Sequence, residues 1–106
     1  MGPIRPVRGE IWLVDLGLAQ KTRPVVVLSV EPAADERVVV TYVARTTSVR
    51  GTRFEVPHEA RGFEPGVFDA QSIGTIPVAR LIRRVGVTDD ATLSGVLRAV
   101  RSWLQL

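Results

Sequence analysis

The sequence predicts a mainly β protein: a small, strongly bent barrel of six or seven short strands, followed by one C-terminal helix. Three observations predict this fold. Runs of β-branched residues recur up to residue 87, segments containing proline or glycine separate them, and residues 88–106 show helical periodicity. A chain of 106 residues is enough for a single domain, which we expect to span residues 1–106.

The first three strands are predicted from residue types. Residues 10–16 (EIWLVDL) partly alternate between apolar and polar side chains, and residues 24–30 (PVVVLSV) and 38–44 (VVVTYVA) are nearly continuous β-branched runs. Such runs are typical of strands buried on both faces, or of barrel strands whose outer face another subunit covers. Shorter strands are predicted at residues 53–56, 67–69, 72–76 and 84–87.

The C-terminal helix is predicted over residues 88–106. Thr88 is a candidate N-cap, and Asp89 and Asp90 place negative charge at the positive end of the helix dipole. Apolar residues then recur at spacings of three and four, which predicts one buried stripe. The stripe consists of Leu93, Val96, Leu97, Val100 and Leu104.

The composition excludes several kinds of chemistry. Without cysteine the chain has no disulfide framework, no thiolate zinc site and no cysteine nucleophile. Its only histidine is His58, so one chain cannot hold a histidine pair or a multi-histidine metal site. We expect His58 in a loop, without a catalytic partner, and Trp12 in the core of the first strand. Any catalysis must therefore use Arg, Asp, Glu, Ser, Thr or Tyr, and we expect no cofactor and no metal.

The positive charge is concentrated in one segment. Thirteen arginines and one lysine oppose 11 acids, which gives a net charge of +3. No acid lies between residues 37 and 53, whereas four arginines do: Arg37, Arg45, Arg50 and Arg53. Two interpretations remain open, an anionic partner such as a phosphate backbone or a solvated surface of strands and loops.

The N-terminus contains no targeting sequence that we recognise. Residues 1–8 include two prolines and two arginines and lack the apolar run of a signal peptide. No apolar run approaches the roughly 18 residues that cross a membrane. We expect residues 1–7 to form a flexible arm, and the protein to be cytoplasmic and free of membranes.

Five motifs, in order along the chain, resemble one known family. They are residues 8–15 (RGEIWLVD), 23–29 (RPVVVLS), 46–47 (TT), 51–56 (GTRFEV) and 66–73 (GVFDAQSI). This pattern is similar to that of the MazF/PemK family, toxin endoribonucleases from bacterial type II toxin–antitoxin pairs. The resemblance extends over residues 8–106.

The resemblance implies a fold, an activity and partners. It implies an SH3-like (PemK/CcdB-like) β-barrel with a C-terminal helix, assembled as a homodimer with RNA between the subunits. It implies sequence-specific, metal-independent cleavage of single-stranded RNA, leaving a 2′,3′-cyclic phosphate and a 5′-hydroxyl. A cognate MazE-like antitoxin neutralises such toxins, and operator DNA is bound only through the toxin–antitoxin complex.

The resemblance also implies the site residues. Arg23 matches the family's catalytic arginine and Thr46 its catalytic threonine, with Thr47 as the alternative if the alignment slips by one. Gln71 matches a substrate-contacting position. The guanidinium of Arg23 suits the catalytic role because its planar fork binds phosphate oxygens and stays charged. The further candidates for catalysis or RNA contact are Ser29, Arg45, Arg50 and Arg53.

The sequence departs from the family pattern in two places. The connection at residues 17–22 (GLAQKT) is short and contains no acid, which puts substrate gating in doubt. Ala70 also separates Asp69 from Gln71, where relatives have an acid next to the glutamine. Trp103 is left open as either a core residue or part of a dimer surface.

Two other functions remain open. A non-hydrolytic poison of a cellular target, similar to the CcdB proteins, would act through C-terminal residues, which here are 102–106 (SWLQL). An inactive SH3-like module would bind RNA in a salt-dependent way and release no product.

Overall fold

A computed structural model describes residues 4–17 and 22–106. They form six strands, a short 3₁₀ turn at Val78–Arg80 and one helix. The strands are β1 (Glu10–Asp15), β2 (Thr22–Val27), β3 (Val39–Thr46), β4 (Glu55–His58), β5 (Gly66–Pro77) and β6 (Leu81–Val87), and the helix is α1 (Asp90–Leu104). The radius of gyration, 13.3 Å, is close to the ~13 Å expected of one compact domain of this length.

The strands form one antiparallel sheet in the order β4-β5-β3-β2-β1-β6. Within the described residues this sheet is open, since β4 and β6 each pair with a single neighbour. The mainly β class and the C-terminal helix are confirmed, but the predicted barrel is not closed. Register shifts in the β1–β6 and β3–β5 pairs interrupt the ladder, and such irregularities bend strands and increase their twist.

Several strand limits differ from the predicted ones. β3 continues to Thr46, two residues further than predicted, and β4 begins at Glu55 and includes His58, for which a loop was predicted. The separate strands predicted at residues 67–69 and 72–76 are one 12-residue strand, β5. The sequence divides this strand because a bulge of polar and small residues lies inside it.

The core occupies both faces of the sheet. Val25, Val26 and Val27 of β2 are all fully buried, which confirms the predicted burial on both faces. Val26 packs with the helix-side cluster, whose other members are Ile11, Val43, Phe54, Phe68, Ala70, Val96, Ala99 and Val100. Val25 and Val27 pack with the opposite cluster, whose other members are Val14, Val40, Tyr42, Ala44, Val78 and Leu81. Trp12 is half-buried against this second cluster.

The helix is capped one residue later than predicted. The carboxylate of Asp89 accepts a hydrogen bond from the Thr92 amide (2.7 Å), so Asp89 is the N-cap. The Thr88 side chain is buried instead, and its hydroxyl donates to the Gly9 carbonyl (2.9 Å), which ties the end of β6 to the turn before β1. No helix in the described residues is long and apolar enough to span a membrane.

Only part of the predicted helical stripe is buried. Val96 and Val100 are buried and Leu93 and Leu97 are half-buried, but Leu104 is 45% exposed. Ala99, outside the predicted stripe, is buried as well. The end of α1 therefore leaves apolar surface uncovered.

Two predicted segments lie partly outside the described residues. These are residues 1–3 of the predicted arm and residues 18–21 of the predicted short loop. In the remainder of the arm, Pro6 is buried and Arg5 forms an ion pair with Glu31 (3.8 Å).

Candidate active site

A cleft opens at the end of the sheet where β2 begins and β3 ends. Its volume is about 540 Å³, and a smaller hollow of about 250 Å³ adjoins it. The cleft is lined by Arg23, Thr46, Ser48, Arg50, Asp69, Gln71, Ser72 and Trp103. The hollow is lined by Arg23, Pro24, Arg45, Thr46, Thr47 and Ser48. Among the predicted site residues, Arg23, Thr46, Arg50 and Gln71 thus share one cleft, and Arg45 and Thr47 line the adjoining hollow.

The pairing of β2 with β3 brings Arg23 and Thr46 together. Val25 pairs with Ala44, and continuing this register by two residues along both antiparallel strands places Arg23 beside Thr46. Both lie on the sheet face of Val25 and Ala44, because side chains alternate along a strand. Arg23 is exposed, and Thr46 is half-buried. A guanidinium and a hydroxyl therefore face the same solvent-accessible space.

The Thr46 hydroxyl is held by the backbone that follows it. The Ser48 amide donates to Thr46 Oγ1 (3.0 Å), which leaves the hydroxyl proton available for a ligand oxygen. The strand beside it needs a glycine: a Cβ on Gly66 would lie 2.6 Å from the Thr46 carbonyl oxygen. Gly66 thus permits the close approach of β5 that supports Thr46.

A bulge in β5 turns Gln71 towards the cleft. Asp69 pairs with Ala44 while Ile73 pairs with Val43, so residues 70–72 have no partners on β3. Within this bulge Ala70 is buried and Gln71 is exposed. The Asp69 carboxylate accepts a hydrogen bond from the backbone amide of Gln71 (3.0 Å). The residue that separates Asp69 from Gln71 in the sequence therefore turns inward, and both polar residues line the cleft.

The connection between β3 and β4 is organised by Glu55. Its carboxylate accepts hydrogen bonds from three successive amides, those of Arg50 (2.9 Å), Gly51 (2.6 Å) and Thr52 (3.0 Å). These bonds, that of Arg50 above all, lower the pKa of Glu55 below 4.5 although partial desolvation opposes them. The loop is thereby held where Arg50 adds a second positive charge to the cleft.

Trp103 contributes an aromatic wall that the sequence did not assign. Its ring meets Phe54 edge-on, with centroids 5.3 Å apart and an interplanar angle of 63°, and the residue remains 43% exposed. Asp69, Ser48 and Ser72 were also missed as cleft residues. No sequence spacing links Trp103 to Thr46, since only the packing of α1 brings the end of the chain to the site.

A family model describing a "PemK-like, MazF-like toxin of type II toxin–antitoxin system" matches residues 7–104. The chain belongs to this family. The toxin MazF-mt6 of Mycobacterium tuberculosis is 30% identical, with a TM-score of 0.79 over 92% of this chain and 97% of that one. A mycobacterial endoribonuclease solved with its cognate antitoxin is 25% identical, with a TM-score of 0.82 over 95% and 96%. MazF in a MazE–MazF structure from Deinococcus radiodurans shares the fold at 20% identity (TM-score 0.83; 98% and 99% covered).

Arg45 of this PemK/MazF-like protein has a buried side chain, unlike Arg23. Only 4% of the residue is exposed. Its Nε donates to His58 Nδ1 (2.8 Å), and its Nη2 donates to the carbonyl oxygens of His58 (3.0 Å) and Glu64. The guanidinium also lies 5.0 Å from the centre of the Phe63 ring. These contacts hold Nε and Nη2 inside the fold, so Arg45 links β3 to β4 and the following loop, although the residue also lines the hollow beside Thr46.

Two other candidates lie away from the cleft. Ser29 follows the opposite end of β2, about 20 Å along the strand from Arg23, and its hydroxyl accepts from the Thr41 amide (2.9 Å). The Arg53 guanidinium lies over the Phe54 ring (4.6 Å) and lines a separate groove between β4 and α1. Neither Ser29 nor Arg53 joins Arg23 and Thr46.

His58 is a core residue of this PemK/MazF-like fold. It is 5% exposed, and its ring packs against Phe63 and Phe68, with centroids 5.2 and 4.8 Å away. Burial lowers its pKa below 6.5, the charge of Arg45 lowers it further, and Asp89 opposes them weakly. Nδ1 accepts a hydrogen bond from Arg45, so this nitrogen carries no proton and the imidazole ring is neutral.

We expect the buried neutral histidine to make stability depend on pH. With a folded-state pKa below the value of the unfolded chain, about 6.5, the unfolded state binds more protons. The free energy of unfolding should therefore fall as pH drops from 7.5 to 5.5. Urea denaturation should show a smaller fall for His58→Gln. Glu55 and Asp89 do not account for this fall, because their pKa values are lowered from 4.5 and 3.8 and they titrate below this interval. Equal falls in the wild-type protein and in His58→Gln would therefore contradict a buried neutral His58.

Proposed function

We propose that this chain is the toxin of a toxin–antitoxin pair and that it cleaves single-stranded RNA at specific sequences without a metal. The products are a 2′,3′-cyclic phosphate and a 5′-hydroxyl. The observation that carries the proposal is the meeting of Arg23 and Thr46 in one open cleft, beside Gln71 and Arg50. Membership of the PemK/MazF toxin family supports it.

The reaction needs little from the protein beyond position and charge. The 2′-hydroxyl of RNA gives up its proton and attacks the adjacent phosphorus, the bond from phosphorus to the 5′-oxygen breaks, and that oxygen takes up a proton. The phosphate gains negative charge on the way, which a fixed donor in the site stabilises. Arg23 supplies that donor as a two-pronged cation, and the bidentate contact also orients the phosphate for in-line attack.

Thr46 is the second group of the proposed mechanism. Because the Ser48 amide occupies its oxygen, its proton is directed to an oxygen of the phosphate or the 2′-hydroxyl. The neighbouring Thr47 is exposed and lines only the adjoining hollow. We therefore assign the catalytic hydroxyl to Thr46. Gln71 and Arg50, which line the same cleft, contact the RNA near the reacting phosphate.

The partners follow from the same proposal. The toxin acts in the cytoplasm as a homodimer, and a MazE-like antitoxin neutralises it and provides the binding to operator DNA. The mycobacterial relative at 25% identity was solved with its cognate antitoxin, which supports an antitoxin here. An antitoxin segment with acidic residues would compete with RNA for the charges of Arg23 and Arg50.

The direct test is cleavage of a long single-stranded RNA of mixed sequence in the presence of EDTA. We expect discrete fragments, located by primer extension, with 5′-hydroxyl ends that polynucleotide kinase labels without prior phosphatase treatment. The same RNA with 2′-O-methyl groups should stay intact, since it lacks the nucleophile. Intact natural RNA at all tested sequences would refute the ribonuclease proposal.

A CcdB-like poison is the second candidate, and one observation favours it. The C-terminal end is exposed, with Leu104 at 45% and Leu106 at 82%, so it is free to contact another protein. This function predicts growth arrest on expression without any RNA cleavage. An inactive RNA-binding module would cause neither growth arrest nor RNA cleavage. It would bind RNA, and more weakly as the salt concentration rises.

A further inference from the structure

One part of the cleft lining differs in chemistry from the two arginines. Arg23 and Arg50 carry positive charge, whereas Trp103 presents an exposed aromatic ring to the same space. The ring is supported by the buried Phe54, whose centroid lies 5.3 Å from that of the indole. A supported, half-exposed indole beside two cations offers a surface on which a nucleobase can stack.

Asp69 adds a carboxylate to the lining of the same cleft. Its carboxylate uses Oδ1 to accept from the Gln71 amide (3.0 Å), and Oδ2 lies 3.5 Å from the Ser72 hydroxyl. A carboxylate repels a phosphate, so its place in the cleft does not serve the RNA backbone. It suits the amino group of a base, since a carboxylate accepts hydrogen bonds from such groups.

We propose that Trp103 and Asp69 form a nucleobase subsite, which rests on the ribonuclease function proposed above. Trp103 stacks on a base next to the reacting phosphate, and Asp69 accepts a hydrogen bond from its exocyclic amino group. The subsite therefore favours cytosine, adenine or guanine over uracil at that position. Trp103 and Asp69 determine specificity, while Arg23 and Thr46 act on the phosphate.

Steady-state cleavage tests the stacking. Trp103→Ala should raise KM about five- to 150-fold, the range that base–aromatic stacking covers, and should change kcat less. Trp103→Phe should recover most of the loss because it keeps an aromatic face. Leu104→Ala is the matched control: Leu104 is the adjacent helix residue, is 45% exposed against 43% for Trp103, and does not line the cleft.

Substrate pairs that differ at one base test the edge contact. Asp69→Asn should lower the preference for a cytosine-containing site over its uracil counterpart at least about fivefold. The asparagine oxygen can still accept a hydrogen bond from the backbone amide of Gln71, so the bulge should persist. Unchanged base preference in Asp69→Asn would remove the edge contact from the proposal.

Binding without cleavage separates this subsite from the ribonuclease function. In a Trp12→Phe protein, Trp103 is the remaining tryptophan, and 2′-O-methyl cytidine heptamers should quench its fluorescence more than uridine heptamers do. Such quenching supports the subsite even if natural RNA stays intact. The subsite is refuted if Trp103→Ala and Leu104→Ala cleave with equal KM, or if Trp103→Ala alone changes the oligomeric state in gel filtration.

Discussion

Arg23→Ala should lower the rate of RNA cleavage about 1,000-fold and leave the fold intact. The loss follows from removing a fixed charged donor from a site where negative charge develops, which typically costs about 10²- to 10³-fold and more for phosphoryl groups. Stability should be preserved because the Arg23 side chain is exposed. Single-turnover cleavage measures the rate, and thermal unfolding verifies the fold.

Two further variants sharpen this test. Arg23→Lys keeps the charge but loses the planar fork, so it should recover only part of the rate. Arg37→Ala removes an exposed arginine outside the cleft and should cleave RNA at the wild-type rate. Equal losses in Arg23→Ala and Arg37→Ala would show that net charge, and not the position of Arg23, supports cleavage.

Arg45→Met should destabilise the protein by about 3 kcal/mol although it removes no apolar contact surface of the core. The substitution leaves His58 Nδ1 and the carbonyl oxygens of His58 and Glu64 without their donor. Buried acceptors that lose their partner cost about 1–3 kcal/mol each, and neighbouring losses are not additive. For a domain of this size, the melting temperature should fall by roughly 12 to 24 °C.

The chain offers a matched control for this variant. Arg53 also lies over an aromatic ring, with its guanidinium 4.6 Å from the Phe54 centroid, but it is exposed. Arg53→Met should therefore change the free energy of unfolding by less than about 1 kcal/mol. Similar losses in Arg45→Met and Arg53→Met would mean that the ring contact, and not the buried hydrogen bonds, stabilises the fold.

The two arginines differ in side-chain burial, which the sequence pattern does not predict. Arg45 and Arg53 belong to the same acid-free segment and were equal candidates for RNA contact. Alternation along β3 turns Arg45 to the helix-side face, opposite to Thr46, and there His58 and Phe63 surround it. A charge count along the chain contains no information about that direction.

The predictions of the helix cap and of the long strand failed because contacts with distant segments decide both features. Thr88 and Asp89 are both good N-cap residues, and only the Gly9 carbonyl, 79 residues away in sequence, engages the Thr88 hydroxyl. Residues 70–72 interrupt the β pattern of β5, because a bulge has the composition of a turn. Both outcomes depend on a neighbouring strand rather than on the local segment.

Residue types and their order along the chain are enough to establish the mainly β class, the C-terminal helix, the absence of cysteine and histidine-pair chemistry, and the family motifs around Arg23 and Thr46. These follow from local periodicity and residue type, which need no partner. Packing between distant segments establishes that the sheet of the described residues is open, that Arg45 and His58 are buried, and that Trp103 and Asp69 line the same cleft as Arg23. Those properties depend on which distant segments pack together, and a side chain's chemistry depends on the neighbours that packing brings to it.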